Sequence, residues 1–227
     1  MKFLYALQGR SAELSSEPTK DKEGKNMARE GLSRLTGLTD GVFAIALTLM
    51  VLELHVPDGH KIGSELELLS AIGTLAPQFI TYALSFLTLT IFWFGQQAQH
   101  SLMRGTDRKL ATLHLCFLAF VSLLPFSTGI LAEFHVFRIA ILVYWLNVLM
   151  LGITLFLSWL YADKHGMIKP EADIKSVYRR IFQAQILWLF GTALSLISIS
   201  LSISFLFLVQ LVYALHPQSN LVRRIIG

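Results

Sequence analysis

Asp40 stands one turn inside a run, Leu35 to Leu52, that otherwise holds only apolar residues, glycines and threonines. A carboxylate so placed is costly unless it is paired or reaches water. Thr36, Thr39 or Asp40 could simply cap the start of a helix. The alternative is a tighter arrangement in which Arg34 reaches back toward Asp40, or toward a neighbouring helix, and pairs with it. Gly37 and Gly41 flank the carboxylate and would let another helix, or the same helix of another subunit, come close. Beyond Asp40, Ile45, Leu49 and Leu52 follow at i, i+4 and i+7, with Thr48 beside them. One stripe results. It suits packing or lipid contact, and it equally suits a pore wall with hydrophobic constrictions and Thr48 as a hydroxyl contact. Spacing alone does not separate these.

Other reactive side chains are scattered. The seven histidines form no HExxH or His-Cys cluster, so no metal site is expected. The single cysteine, Cys116, excludes an internal disulfide and is expected as a small core residue. His114, Asn147 and Gln210 interrupt apolar runs and are expected to hold helices together. No paired His/Asp or Ser/His arrangement sits at a common depth, so neither catalytic residues nor a cofactor are expected.

The elements that carry these residues follow from composition. The 227 residues are 54% hydrophobic and 15% charged, against about 25% charged in soluble domains. The formal charge of +4 lies in connections between apolar runs, which fits membrane topology and gives no reason to expect nucleic acid. A crossing helix needs about 20 apolar residues. Runs near residues 35–55, 68–97, 109–132, 137–161, 179–199 and 201–216 give an all-α, polytopic protein with six spans. The last two are one long run, divided by a turn among Ser198, Ser200, Ser202 and Ser204. Pro77 and Pro125 are expected to bend their helices. Trp159 and Tyr161 are expected at the membrane interface.

Seventeen of the nineteen Lys and Arg residues fall on one side of this layout; only Lys61 and Arg138 fall on the other. Both termini are therefore expected in the cytoplasm. Residues 1–32 read as a disordered or loosely helical cytoplasmic extension, 33–216 as the six-helix membrane domain, and 217–227 as a basic tail. The first outer loop is acidic, with Glu53, Asp58, Glu65 and Glu67, and would raise the local cation concentration.

Arg34-x-x-x-Leu38-Thr39-Asp40, running into Gly-Val-Phe-Ala-Ile-Ala-Leu-Thr-Leu, resembles the Arg-x-x-x-Phe-Ser-Asp motif of the transmembrane protein 175 family of endosomal/lysosomal potassium channels. Tyr82-Ala-Leu-Ser85-Phe86, Phe92-Trp93, Asp107-Arg108-Lys109-Leu110 and Leu124-Pro125-Phe126-Ser127-Thr128 are similar to its later landmarks. The motif's Phe-Ser is Leu38-Thr39 here. Gln96-Gln97 stand where the family often has a histidine pair; glutamine can hydrogen-bond but cannot titrate.

The resemblance implies a channel rather than an enzyme. It implies a single-repeat, homotetrameric, potassium-selective, leak-like channel of the plasma membrane, with the first helix around a central pore and K⁺ as the permeant ion. Ile45 would be the main constriction, with Leu49 and Leu52 beyond it and Thr48 beside the pore. Arg34, Thr39 and Asp40 would form the polar network near the cytoplasmic end. No Thr-Val-Gly-Tyr-Gly segment occurs, so a filter of backbone carbonyls is not expected. The rival readings are a secondary transporter, which would call for matching polar sites in both halves, a membrane enzyme, and a non-conducting membrane scaffold.

Overall fold

Inside a bilayer the backbone must satisfy its own hydrogen bonds, and helices do so within one segment. The computed structural model is accordingly helical. It describes residues 2–57, 59 and 62–215, with side chains placed for 22–214 of these. The basic tail expected at 217–227 lies outside the described residues, as do Asp58 and Lys61 of the first outer loop. Helix α1 spans Lys2–Leu49 and tightens into a 3-10 turn at Met50–Glu53. It is followed by α2 (Glu65–Thr74), α3 (Ala76–Leu102), α4 (Arg108–Glu133), α5 (Arg138–Lys164), α6 (Ile174–Ala193) and α7 (Ile199–Leu215).

Local chemistry sets the boundaries. Ser64, Asp107 and Asp173 cap α2, α4 and α6, each accepting a backbone N–H three residues on. Pro77 lies in the first turn of α3, where its missing N–H costs nothing. The expected second span is therefore two helices broken at Leu75, and Pro77 starts one of them instead of bending it. Pro125 lies inside α4. Helix α1 passes unbroken through residue 33, where the N-terminal extension was expected to end.

Among the described residues four segments are long and apolar enough to cross a membrane: Lys22–Glu53, α3, α4 and α5. The remaining two expected spans are shorter. Basic Lys175, Arg179 and Arg180 occupy the first turns of α6, and α7 has 17 residues. Between them a 3-10 turn at Leu194–Leu196 reverses the chain at Ile197–Ser198, within the region expected to turn. The Ser202 hydroxyl donates to the Gly191 carbonyl at 2.6 Å, and Leu206 packs where Gly191 has no Cβ. Arg138 at the start of α5 donates to the Leu196 carbonyl at 3.2 Å, holding this turn.

The core lies between α1, α3, α4 and α5, around Phe43, Leu84, Phe117, Val121 and Tyr144. Polar side chains join the helices there. The Gln210 amide donates to Thr88 Oγ1 at 2.8 Å, and Thr88 shares a hydrogen bond with the Tyr144 hydroxyl at 2.9 Å. Ser85 donates to Tyr144 at 3.2 Å and Thr128 to Ser85 at 2.8 Å. Asn147 donates to Ser127 at 3.1 Å. In lipid such bonds are a main source of helix specificity.

A second cluster gathers Met103, Leu110, Trp159, Ala162 and Ile168. It ties the α3–α4 connection to the α5–α6 connection through paired backbone bonds, Arg104 N–H to Met167 and Lys169 N–H to Leu102. Trp159 is fully buried here instead of lying at an interface. Cys116 is exposed on α4 instead of buried in the core. Gly105 lies against Ala28 so closely that a Cβ would meet backbone at 3.0 Å, so α1 is anchored to this end of the bundle.

Asp107 joins the cap to the cluster: its carboxylate also accepts from the Tyr161 hydroxyl at 2.7 Å. Burial works against its charge, but the Leu110 N–H, the Tyr161 hydroxyl and nearby His165 outweigh it and hold the carboxyl below its usual range. A lowered carboxyl pKa adds stability above the unfolded value that is lost as pH falls through the folded one. Asp107→Ala is expected to cost about 1 kcal/mol at neutral pH. Thermal unfolding in detergent should show the gap from the parent closing once the pH drops below about 4.

Candidate functional site along the first helix

Three faces of α1 meet different surroundings. Leu35, Thr39, Phe43, Ala46 and Met50 are buried against the bundle. Asp40 lies on a second face, against α3. The Trp93 indole N–H donates to Asp40 Oδ1 at 2.8 Å, and the Gln97 amide donates to the same oxygen. Trp93 and Gln97 are four residues apart, one turn of α3, so both reach one point. One turn earlier, Thr36 Oγ1 shares a hydrogen bond with His100 Nδ1 at 3.0 Å. His100 also bonds Gln96 at 2.7 Å and lies with its ring 4.8 Å from that of His114. One neutral amide and an indole therefore solvate the carboxylate.

The pairing expected between Arg34 and Asp40 does not form. Six residues is 1.67 turns, which puts the two side chains roughly 120° apart around the helix. Arg34 instead bonds Glu30, four residues back, at 2.7 Å in an exposed pair. Thr39 is buried, and its hydroxyl donates to Leu35 of its own helix at 2.8 Å. Of the three residues read as an interhelical network, Asp40 alone bonds another helix. Nor does any of Thr36, Thr39 or Asp40 cap a helix, since α1 runs through all three.

The third face has no cover among the described residues. Ile45 is 61% exposed, Leu49 44% and Leu52 68%. Leu38, Gly41 and Thr48 share this face and are exposed. The Thr48 hydroxyl donates to the Ile45 carbonyl at 2.8 Å. Gly37, Gly41 and Ala44 make the flank small. Among the described residues nothing comes within 4 Å of a Cβ built on either glycine, so neither serves a close approach there. At the C-terminal end of this segment Glu53 turns back against Gly129 of α4. It lines an open cleft of about 420 Å³ with His55, Phe126 and Glu133. Among the described residues no three His, Cys, Asp or Glu side chains come together as a metal site.

The Trp93 partnership escaped the sequence reading, although Trp93 and Gln97 at i and i+4 carried the signal. The Glu30–Arg34 pair was signalled by the same spacing.

Known proteins share this arrangement of helices. Residues 34–125 match the sequence profile described as endosomal/lysosomal potassium channel TMEM175. A protein of Chamaesiphon minutus named as a potassium channel is 31% identical over 193 residues, covering 82% of this chain and 95% of its own. Another from Streptomyces collinus, also named as a potassium channel, is 31% identical over 62% of this chain and 69% of its own. The Gallus gallus endosomal/lysosomal proton channel TMEM175 is 30% identical over 44% of this chain, which spans 21% of that longer protein. Among solved structures, the crystal structure of a lysosomal potassium-selective channel TMEM175 homologue from Chamaesiphon minutus matches with a TM-score of 0.73 and 30% identity. The match covers 84% of this chain and all of that one. The chain belongs to the TMEM175 family, a family of ion channels rather than enzymes.

Proposed function

We propose that the chain is one subunit of a potassium-selective cation channel, in which four copies of α1 surround a central pore. The observation that carries this reading is the uncovered stripe of Ile45, Leu49 and Leu52, on a helix whose other faces are buried or clamped by α3. Its relatives named as potassium channels support the ion. The free flank at Gly37 and Gly41 suits a second subunit's approach.

The six crossings then comprise the 22–53 segment, α3, α4, α5 and the α6–α7 hairpin. The distribution of basic residues supports cytoplasmic termini in a plasma membrane.

Conduction follows from the stripe's chemistry. Isoleucine offers no ligand for a cation, so a ring of Ile45 side chains acts through width and wetting. An ion must shed water at the neck, and K⁺ holds its water less tightly than Na⁺. Leu49 and Leu52 extend the dry passage, with Thr48 the one hydroxyl beside it. Asp40 is not an ion ligand in this scheme. It fixes the rotation of α1 against α3, with Trp93 and Gln97 as its partners, and Thr39 packs beside it. Arg34 lies at the cytoplasmic end of the stripe.

In reconstituted bilayers, Ile45→Asn is expected to raise K⁺ conductance and draw the K⁺/Na⁺ permeability ratio toward one. Reversal potentials unchanged under K⁺/Na⁺ gradients would remove Ile45 as the neck. Asp40→Ala leaves the Trp93 and Gln97 N–H groups without their acceptor and should cost about 1–3 kcal/mol. Thermal unfolding of the purified channel measures that loss.

A further inference from the structure

The stripe does not end at the membrane. Helix α1 continues without a break on the N-terminal side of Arg34, so residues on the Ile45 face can be followed outward by period. Met27 lies eighteen residues before Ile45, five full turns, and is 68% exposed. Glu23, Glu30 and Arg34 fall within roughly 60° of the same direction, and all three are exposed. Lys22, Lys25 and Arg29 fall within roughly 40° of the opposite direction. Among the described side chains from residue 22 to residue 34, the arm is thus sorted by charge: Glu23 and Glu30 share the pore azimuth, and the basic residues, except Arg34, turn away.

Arg34 is the exception that needs treatment. Four arginines around the inner mouth of a cation pore would repel the ion they must admit. The structure gives each one a carboxylate, Glu30, at 2.7 Å on the same face. As a contribution to folding an exposed pair of this kind is worth little, which leaves electrostatics at the mouth as its consequence.

We propose that the 22–34 segment of α1 forms a cation-attracting vestibule, in which Glu30 neutralises Arg34 and Glu23 leaves that segment of each subunit one net negative charge facing the axis. The inference rests on the tetrameric pore reading. Glu30 is then a residue that sets conduction without touching the neck, about 22 Å from Ile45 along the helix. It acts on K⁺ arriving from the arm's side and not on K⁺ arriving from the acidic outer loop.

A charge ladder tests it in excised patches, with symmetric K⁺ at about 0.1 M, where screening is incomplete. Each substitution changes four charges at once. Glu30→Gln is expected to lower current carried from the arm's side by about two- to threefold relative to the opposite direction. Arg34→Gln is expected to raise it by a similar factor, a change that damaged packing does not imitate. The double variant Glu30→Gln/Arg34→Gln restores the parental net charge and should restore the parental ratio. All these differences should shrink at about 1 M K⁺. A ratio that ignores the sign of the substitution, or a double variant that stays low, overturns the vestibule. Ile45→Asn in the same patches separates the two readings. If it shifts the K⁺/Na⁺ reversal potential while the ladder is flat, the vestibule falls alone. If it leaves that potential unmoved, the pore reading falls and the vestibule with it.

Discussion

A carboxylate on a helix this apolar has to be solvated by protein, and Trp93 and Gln97 do so for Asp40. Much of the architecture follows from that contact. It ties α1 to α3 across neutral groups, so no second ion is drawn into the membrane. It also sets how α1 is turned. With Asp40 held toward α3, and Phe43 and Ala46 buried in the core, only one direction remains for Ile45, Leu49 and Leu52. The apolar stripe is left bare by the demands of a polar residue on another face.

The rest of the bundle reads as support for that orientation. Gly105 receives Ala28 at one end of α1, and Gly129 receives Glu53 at the other. Both contacts are to the two ends of α4, so α1 and α4 run in the same direction with little freedom to slide. Polar bonds from Gln210 through Thr88 and Tyr144 join α7, α3 and α5 behind them.

Much of this was legible in the residues. Helical class, the reversal near Ser198, the gluing role of Asn147 and Gln210, and the need of Asp40 for a partner all follow from hydropathy and burial cost. What was not legible came from the third dimension. Arg34 has the right charge for Asp40 but the wrong azimuth, and only helical period reveals that. Trp159 has the composition of a belt residue, yet the tight crossing at Met103 and Ile168 encloses it. Cys116 has the size of a core residue but sits on the outward side of α4. Lys175, Arg179 and Arg180 lie inside α6, so its apolar length is less than its helical length. The boundary at Leu75 depended on reading Pro77 as a helix starter.

Helix α1 is a single rod from Lys2 to Leu49, and a rod transmits torsion. Neighbouring positions on it differ by about 100°. Ile45 therefore has Ala44 beside it on one flank, with Gly41 and Gly37 below. Twisting the N-terminal end in that sense would bring a methyl group to the direction now held by a branched side chain, without moving the helix sideways. The face that α1 leaves uncovered is thereby a function of angle, and the Asp40 clamp acts as its detent.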